Sequence, residues 1–518
     1  FAFVATHNQF VLDRGGKVFK QSAPVIKLPE VSTEEDHLAL LGLLNSSTAC
    51  FWMKQVFHCK GGQGIGRGHM DEQWEQFYEF DATKIRQFPI PAESGKAIAF
   101  AREADSIAWS RTRRSAVAVL GAETEWKNAV DLRGKLEERR QSDLAAFQRL
   151  VALQEELDWL CYRLYGLDDG PVLSPDEVPP ILPAWRPADL NLAARDAELR
   201  AAMAAGEEVD DIPTAWFSRH GWEPLTELPT ETPRSYRALV EGRRKRIAAN
   251  RALELIEQPT YKRRWYRPDY EAEEQAALRL WLADRVEHAA KERSKPASVE
   301  QLAVAIQSDP RAQTVAELIA GRRDFRLVDL VVKVVEADAV PDHPFHVFKA
   351  TGLDKYAEWE KTWEDQRRED AGEAVTPAVP PSFVGADFQR TEYFKLRGKL
   401  NVPKERFIAL TEAPGSGVGG ETLYGWAGWT PLQRIRIFME LDGELEDEGR
   451  TLADRIALLD SAWRLLPYAE AEDSGATGRL RAELEALLGP DGPSRQMLAE
   501  WRERFAPPSR GGRGAKGA

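Results

Sequence analysis

At 518 residues, with 43% hydrophobic and 30% charged side chains, the chain can bury sizeable cores, and at roughly 150 residues per domain it suggests about three domains. Its net charge of −13 excludes a uniformly basic nucleic-acid binder, so any contact with DNA must come from local basic surface. Three cysteines without a CxxC pair argue against a disulfide framework or a cysteine-rich zinc site and fit a reducing cytoplasm, and no apolar run approaches the ~18 residues of a membrane span.

The chain begins Phe1-Ala-Phe-Val4, without a Met and in a strand-like pattern, so it is expected to be the back portion of a longer protein. Short apolar groups punctuated by Asp13-Arg-Gly-Gly16 predict hairpins over the first thirty residues. Ser32 and Glu35 are placed as a capping box before an apolar helix from Leu38. Asn45-Ser-Ser47 should break that helix and cap a new one, because Asn and Ser side chains compete for helical backbone hydrogen bonds. The second helix empties into a glycine-rich loop from Gly61 to Gly68, and an aromatic, strand-like run closes on Phe88-Pro-Ile-Pro91. Rigid elements flanking a polar, partly basic loop suit a surface reader, so Leu38–Pro91 is read as a DNA target-recognition element.

Farther along, Leu150, Leu153, Leu157, Leu160 and Leu164 form one stripe at helical spacing, and Gly166 stops the helix. Residues 167–188 read as a proline-rich, acidic connector and a boundary; Pro213–Trp222 reads as an ordered aromatic loop. Between Pro233 and Pro268 eleven Arg and Lys side chains face only Glu241, Glu254 and Glu257. Leu327, Leu330, Val331, Val334 and Val335 share a helical face, Ala371–Gly385 reads as a second linker, and Tyr393–Trp429 as short strands and turns. The predicted class is α+β, predominantly helical. Its expected parts are a recognition domain at 1–95, a helical spacer at 96–170, a helical region at 171–370 with the basic segment 233–268, a mixed module at 371–506, and a disordered basic tail at 507–518.

A methyltransferase acting on DNA amines needs a glycine-rich loop after a strand for its donor. It also needs an Asn/Asp-Pro-Pro-aromatic tetrapeptide to hold the flipped base. No Pro-Pro pair here has that context, and Gly415-Ser-Gly-Val-Gly-Gly420 follows Glu-Ala-Pro rather than a strand. There is no HExxH, His343 and His346 read as a polar turn, and the adjacent His58 and Cys59 read as a buried helix end. No catalytic, cofactor-binding or metal-ligating residue is assigned. The candidate DNA-binding residues are Lys54, Gln55, Lys60, Gln63, Arg67 and His69 at the glycine-rich loop, since Arg and Gln can match guanine and adenine edges bidentately. A second set, Arg243, Arg244, Lys245, Arg246, Lys262, Arg263 and Arg264, is expected to clamp phosphates. Four consecutive charges at 243–246 spread round a helix, however, and a solvated helix is the plainer alternative. Trp265 and Tyr266 read as packing anchors.

Leu43-Leu-Asn-Ser46, the variable polar loop and Phe88-Pro-Ile-Pro91 resemble the target-recognition domains of restriction-modification proteins. Gly352–Gly372, Tyr393–Phe407, Ile256–Trp265 and Leu423–Trp429 are similar to the adenine-specific methyltransferases of BREX phage-exclusion systems, the PglX type. The resemblance implies S-adenosylmethionine-dependent methylation of adenine N6 in double-stranded DNA. It also implies a catalytic domain N-terminal to this segment as one partner, and other BREX components as further ones. It carries no catalytic residue onto this chain, which would be the specificity half. The rival expectations are a protein-interaction scaffold docking other defence components, and a nuclease with an unrecognised site.

Overall fold

A computed structural model describes residues 1–60, 72–397, 404–410, 422–490 and 492–504. The glycine-rich segments at 61–68 and 415–420 and the tail at 507–518 lie outside the described residues. The architecture is predominantly helical α+β, with two small three-stranded sheets. The chain forms two compact units: Phe1–Val119 with Gly134–Glu273, and Leu120–Arg133 with Glu274–Ala518.

In the first unit, helices α1 (Glu34–Leu44) and α2 (Ser47–Val56) flank the expected break. The Ser46 hydroxyl caps α2 by accepting from Ala49 N at 3.1 Å. The box at the start of α1 is formed by Thr33 and Asp36 rather than by Ser32 and Glu35, one residue later than the spacing predicts. The N-terminal hairpins are not formed: only β1 (Val4–Ala5) is a strand there, and it pairs with β3 (Tyr78–Glu79), as does β2 (His58–Cys59). Most of residues 6–30 run without regular structure. Helix α3 (Ile98–Arg113) packs on α1, where Gly42 lets the backbone approach Ala97 closely enough that an added Cβ would meet it at 3.0 Å.

The long helix α4 (Ala129–Leu164) organises this unit. Of the predicted leucine stripe, Leu153, Leu157 and Leu160, with Leu164 partly buried beside them, lie against Leu43, Met53, Phe57, Phe80 and Phe100. Its other sides are also covered: Val151 and Ala152 meet Ile181, Leu190 and Val240, while Trp159 and Tyr162 meet Ile247, Leu253 and Ile256. Every residue from Val151 to Tyr162 is buried. The covering elements are α5 (Pro187–Ala204), α7 (Arg234–Ala249) and α8 (Arg251–Ile256), while Trp216 and Phe217 of the short α6 (Trp216–His220) pack with Trp74 and with Ala193 of α5. Residues 167–188 are therefore no free connector, since Val178 and Ile181 are core residues.

The second unit holds α9 (Tyr270–Glu292), the short helices α10 (Val299–Gln307), α11 (Pro310–Ala320) and α12 (Leu327–Asp338), and α13 (Ala350–Asp370). Strand β4 (Ala339–Pro341) lies parallel to β5 (Phe407–Leu410), which pairs antiparallel with β6 (Leu423–Trp426). The predicted apolar face of α12 buries Val331, Val334 and Val335. Helices α14 (Pro431–Asp447), α15 (Leu452–Glu472), α16 (Ser474–Leu488) and α17 (Arg495–Glu503) close around Ile435, Phe438, Leu459, Leu484 and Trp501. No helix among the described residues is long and apolar enough to cross a membrane.

Candidate nucleic-acid interface

A helix buried on all sides can carry carboxylates only if each is paired, because an unpaired buried charge costs several kcal/mol. Helix α4 places Glu155, Glu156 and Asp158 in that position, all within 1% of full burial. The basic segment answers them. Arg243 donates to Glu156 through both terminal nitrogens at 2.7 and 2.6 Å, and its guanidinium lies over the Trp159 ring at 4.7 Å. Lys262 donates to Glu155 at 3.0 Å, Asp158 at 2.9 Å and Glu257 at 3.0 Å. Burial opposes the Lys262 charge, but Asp158, Glu155 and Glu257 together raise its pKa well above the ordinary lysine value. Asp158 also accepts from the Ser47 amide and hydroxyl, both at 2.7 Å, which ties the first turn of α2 to α4.

Burial pushes the Glu257 carboxyl up to about 7, against the pull of Lys262. Its Oε1 accepts from the Tyr162 hydroxyl at 2.5 Å, and its Oε2 is buried with no hydrogen-bond partner. A carboxyl raised from its unfolded value near 4.5 binds its proton more tightly in the folded chain, so its stabilisation is lost as pH rises from about 4.5 through 7. Glu257→Gln keeps an acceptor for Tyr162 and Lys262 without the titration. Denaturant midpoints at pH 5.5 and 8 should show the variant gaining on the wild type at the higher pH. Equal gaps at both values would contradict the assignment.

The segment 257–267 threads the first unit. His7 Nε2 lies 3.0 Å from Pro259 O, and Lys54 donates to Thr260 O at 2.5 Å. Arg263 donates to Asn45 Oδ1 at 3.2 Å, so the helix break itself is tied to this strap. These contacts correct part of the phosphate-clamp expectation and, for Lys54, part of the loop-side one. Arg243 and Lys262 are inside the fold, each bonded to buried carboxylates, and Lys54 is buried among aromatic rings with its pKa lowered by burial. Arg246 is paired with Asp168 at 2.9 Å and Asp169 at 3.0 Å, and half-buried Arg244 donates to Asn191 at 2.7 Å. Of the seven basic candidates between 243 and 264, only Lys245 is exposed.

Gln63, Arg67 and His69 lie outside the described residues, but both ends of their segment are fixed. On one side Lys60 N donates to Phe77 O at 2.8 Å, and β2 presents His58 and Cys59 to solvent, which corrects the buried-helix-end reading of that pair. Lys60 is exposed and reaches Glu79 at 2.5 Å, while Gln55 is exposed beside Tyr261. On the other side Glu72 Oε1 accepts from the Thr214 hydroxyl at 2.9 Å and Ala215 N at 2.7 Å. Trp74 is buried at 2% exposure, edge-on to Trp216 at 5.2 Å and beneath the Arg264 guanidinium at 4.8 Å.

The aromatic loop expected at Pro213–Trp222 is this anchor, and α6 sits within it. His220 Nδ1 lies 2.6 Å from Trp216 O and must donate, so Nε2 accepts from Arg264 Nε at 2.9 Å. Burial holds the ring neutral, with its pKa down to about 4. Arg264 also donates to Tyr266 Oη and to Thr6 Oγ1 at 3.0 Å. Around these anchors Phe77 and Tyr266 are 44% and 55% exposed, and Arg219 and Arg267 reach solvent. Arg219 approaches Glu75 only at 3.6 Å. Exposed rings beside exposed guanidinium groups can stack on bases and meet phosphates. Sequence reasoning missed Arg219, Arg267 and Phe77, whose exposure depends on pairings remote in the chain. Tyr266, read as a packing anchor, is open, whereas Trp265 does pack, against Phe147 at 5.5 Å.

Elsewhere, His343 is buried against Asp460 and Ser461 at 3.3 Å each. No group of three or more His, Cys, Asp or Glu among the described residues could hold a metal ion. The described strands are two to four residues long and lie in two small three-stranded sheets.

Residues 150–511 match the model of a domain of unknown function, DUF7008. The chain is 40% identical over 455 residues, 83% of its length, to the adenine-specific methyltransferase PglX of Streptomyces coelicolor, and it spans 35% of that protein. No solved structure matches it.

Proposed function

Because the chain belongs to the DUF7008 family and is similar to PglX over 83% of its length, we propose that it is the target-reading part of an adenine-specific DNA methyltransferase. The chemistry belongs to a catalytic domain outside this segment, where S-adenosylmethionine supplies the methyl group to adenine N6. The parent protein works in the cytoplasm, in a BREX-type phage-defence system with other components of that system. The observation that carries this reading is the fixed frame around residues 61–71: β2 and Lys60 at one end, Glu72 and the Trp74–Trp216–His220–Arg264 stack at the other. Such roots hold a reading segment in register while leaving its own side chains to meet base edges.

Gln63, Arg67 and His69 are the proposed base readers. Lys60, Arg219 and Arg267 are the proposed phosphate contacts, each adding roughly 0.9 to the slope of log affinity against log salt. Arg67→Ala should flatten the preference among duplex sequences while leaving most of the salt slope intact, as followed by fluorescence anisotropy at several salt concentrations. Unchanged preference would remove the segment as reader. A scaffold for other proteins remains the second reading, and duplex DNA binding absent at every salt concentration would favour it.

A further inference from the structure

The second unit contains a groove between α9, the end of α11 and α12. Its walls include Leu280, Ile319, Phe325 and Leu330, and its rim carries Arg279, Arg322, Arg326 and Lys333. Leu280 is 41% exposed and Phe325 and Leu330 are only half-buried, so apolar surface is open to solvent. The four cations face two carboxylates, Asp329 and Asp338, and Asp338 is already held by Arg406 at 3.0 Å. Arg326 reaches Asp329 only at 3.8 Å, and no ion pair among the described residues engages Arg279, Arg322 or Lys333.

This local excess of positive charge stands out in a chain whose net charge is −13. We propose that the groove docks a helical segment of a partner protein that carries an apolar stripe flanked by acidic side chains. Duplex DNA fits the rim but not the floor, because its phosphates offer nothing to cover Leu280, Phe325 and Leu330. An acidic amphipathic helix matches both: its apolar i, i+3, i+4, i+7 positions fill the groove and its carboxylates meet the Arg and Lys rim. The inference goes beyond the DNA-reading proposal and does not depend on it.

The test uses the full chain and a labelled peptide of about 16 residues, ~24 Å long as a helix, with leucines at that spacing and glutamates beside them. Binding is followed by anisotropy, with controls in which lysines replace the glutamates or serines replace the leucines. The acidic peptide should bind, weaken with salt, and lose about tenfold or more in affinity to Arg279→Glu/Lys333→Glu and to Leu280→Asp. These side chains are exposed, so the fold and the duplex affinity of the first unit should be unchanged in the variants. The proposal is overturned by no binding, by equal binding of either control peptide, or by insensitivity to the variants. It is equally overturned if the variants lower duplex affinity instead, or if they abolish self-association measured by sedimentation, since the occupant is then DNA or a second copy.

Discussion

Lys262→Met is expected to cost the first unit about 3–5 kcal/mol, because it strips the shared cation from a buried set of carboxylates. The three contacts to Glu155, Asp158 and Glu257 lie between 2.9 and 3.0 Å, and no solvent reaches them to compensate. Glu155 is held below its ordinary pKa, against burial, chiefly by the Lys262 charge. With methionine in that place, the carboxylates must take up protons or draw in water, and α2 and α4 lose a common anchor through Asp158. Denaturant unfolding measures the loss, and Lys245→Met, exposed on α7, provides the comparison with little expected change. A Lys262 variant as stable as the Lys245 variant would mean that the basic segment does not hold the fold together.

Trp74→Ala should be similarly costly, about 3–5 kcal/mol for a fully packed indole, and its effect should extend to DNA. Trp74 fills the space between Trp216, His220 and the Arg264 guanidinium. Removing it leaves a cavity at the root of the segment proposed to read bases. Hydrogen exchange should quicken across residues 73–77 and 214–221 while α4 stays slow, and duplex affinity should fall because the reading segment is no longer held in register. Trp74→Phe, which keeps an aromatic face toward Arg264, should recover most of both properties. A Trp74→Ala chain that keeps full duplex affinity would detach the anchor from the function.

These two residues show what the sequence could and could not reveal. The break at Asn45-Ser-Ser47 and the leucine stripe of α4 are local patterns, set by capping chemistry and helical period, and both are present as expected. The charge excess at 233–268 is equally visible, but its meaning is not. Arg243 meets Glu156 across 87 residues and Lys262 meets Glu155 across 107, so composition alone could not tell a surface clamp from an internal counter-charge. The burial of Glu155, Glu156 and Asp158 on α4 is illegible for a related reason: helical periodicity identifies one buried stripe and does not report that other helices cover the remaining sides. The N-terminal hairpins failed because apolar alternation over a few residues does not require a partner strand nearby. β1 finds its partner in β3, more than seventy residues on. The loop frame was half legible, through its glycines and its aromatic flank, while Arg219 and Arg267 came to light only where α6 and the 257–267 strap lie together.

Amide hydrogen exchange of the chain with and without unmethylated duplex DNA tests the central claim most directly. Slowing at 58–60, 73–77, 215–221 and 264–267, with no change across 243–246, is the predicted result. Slowing confined to 243–246, or no change around the frame, would contradict it.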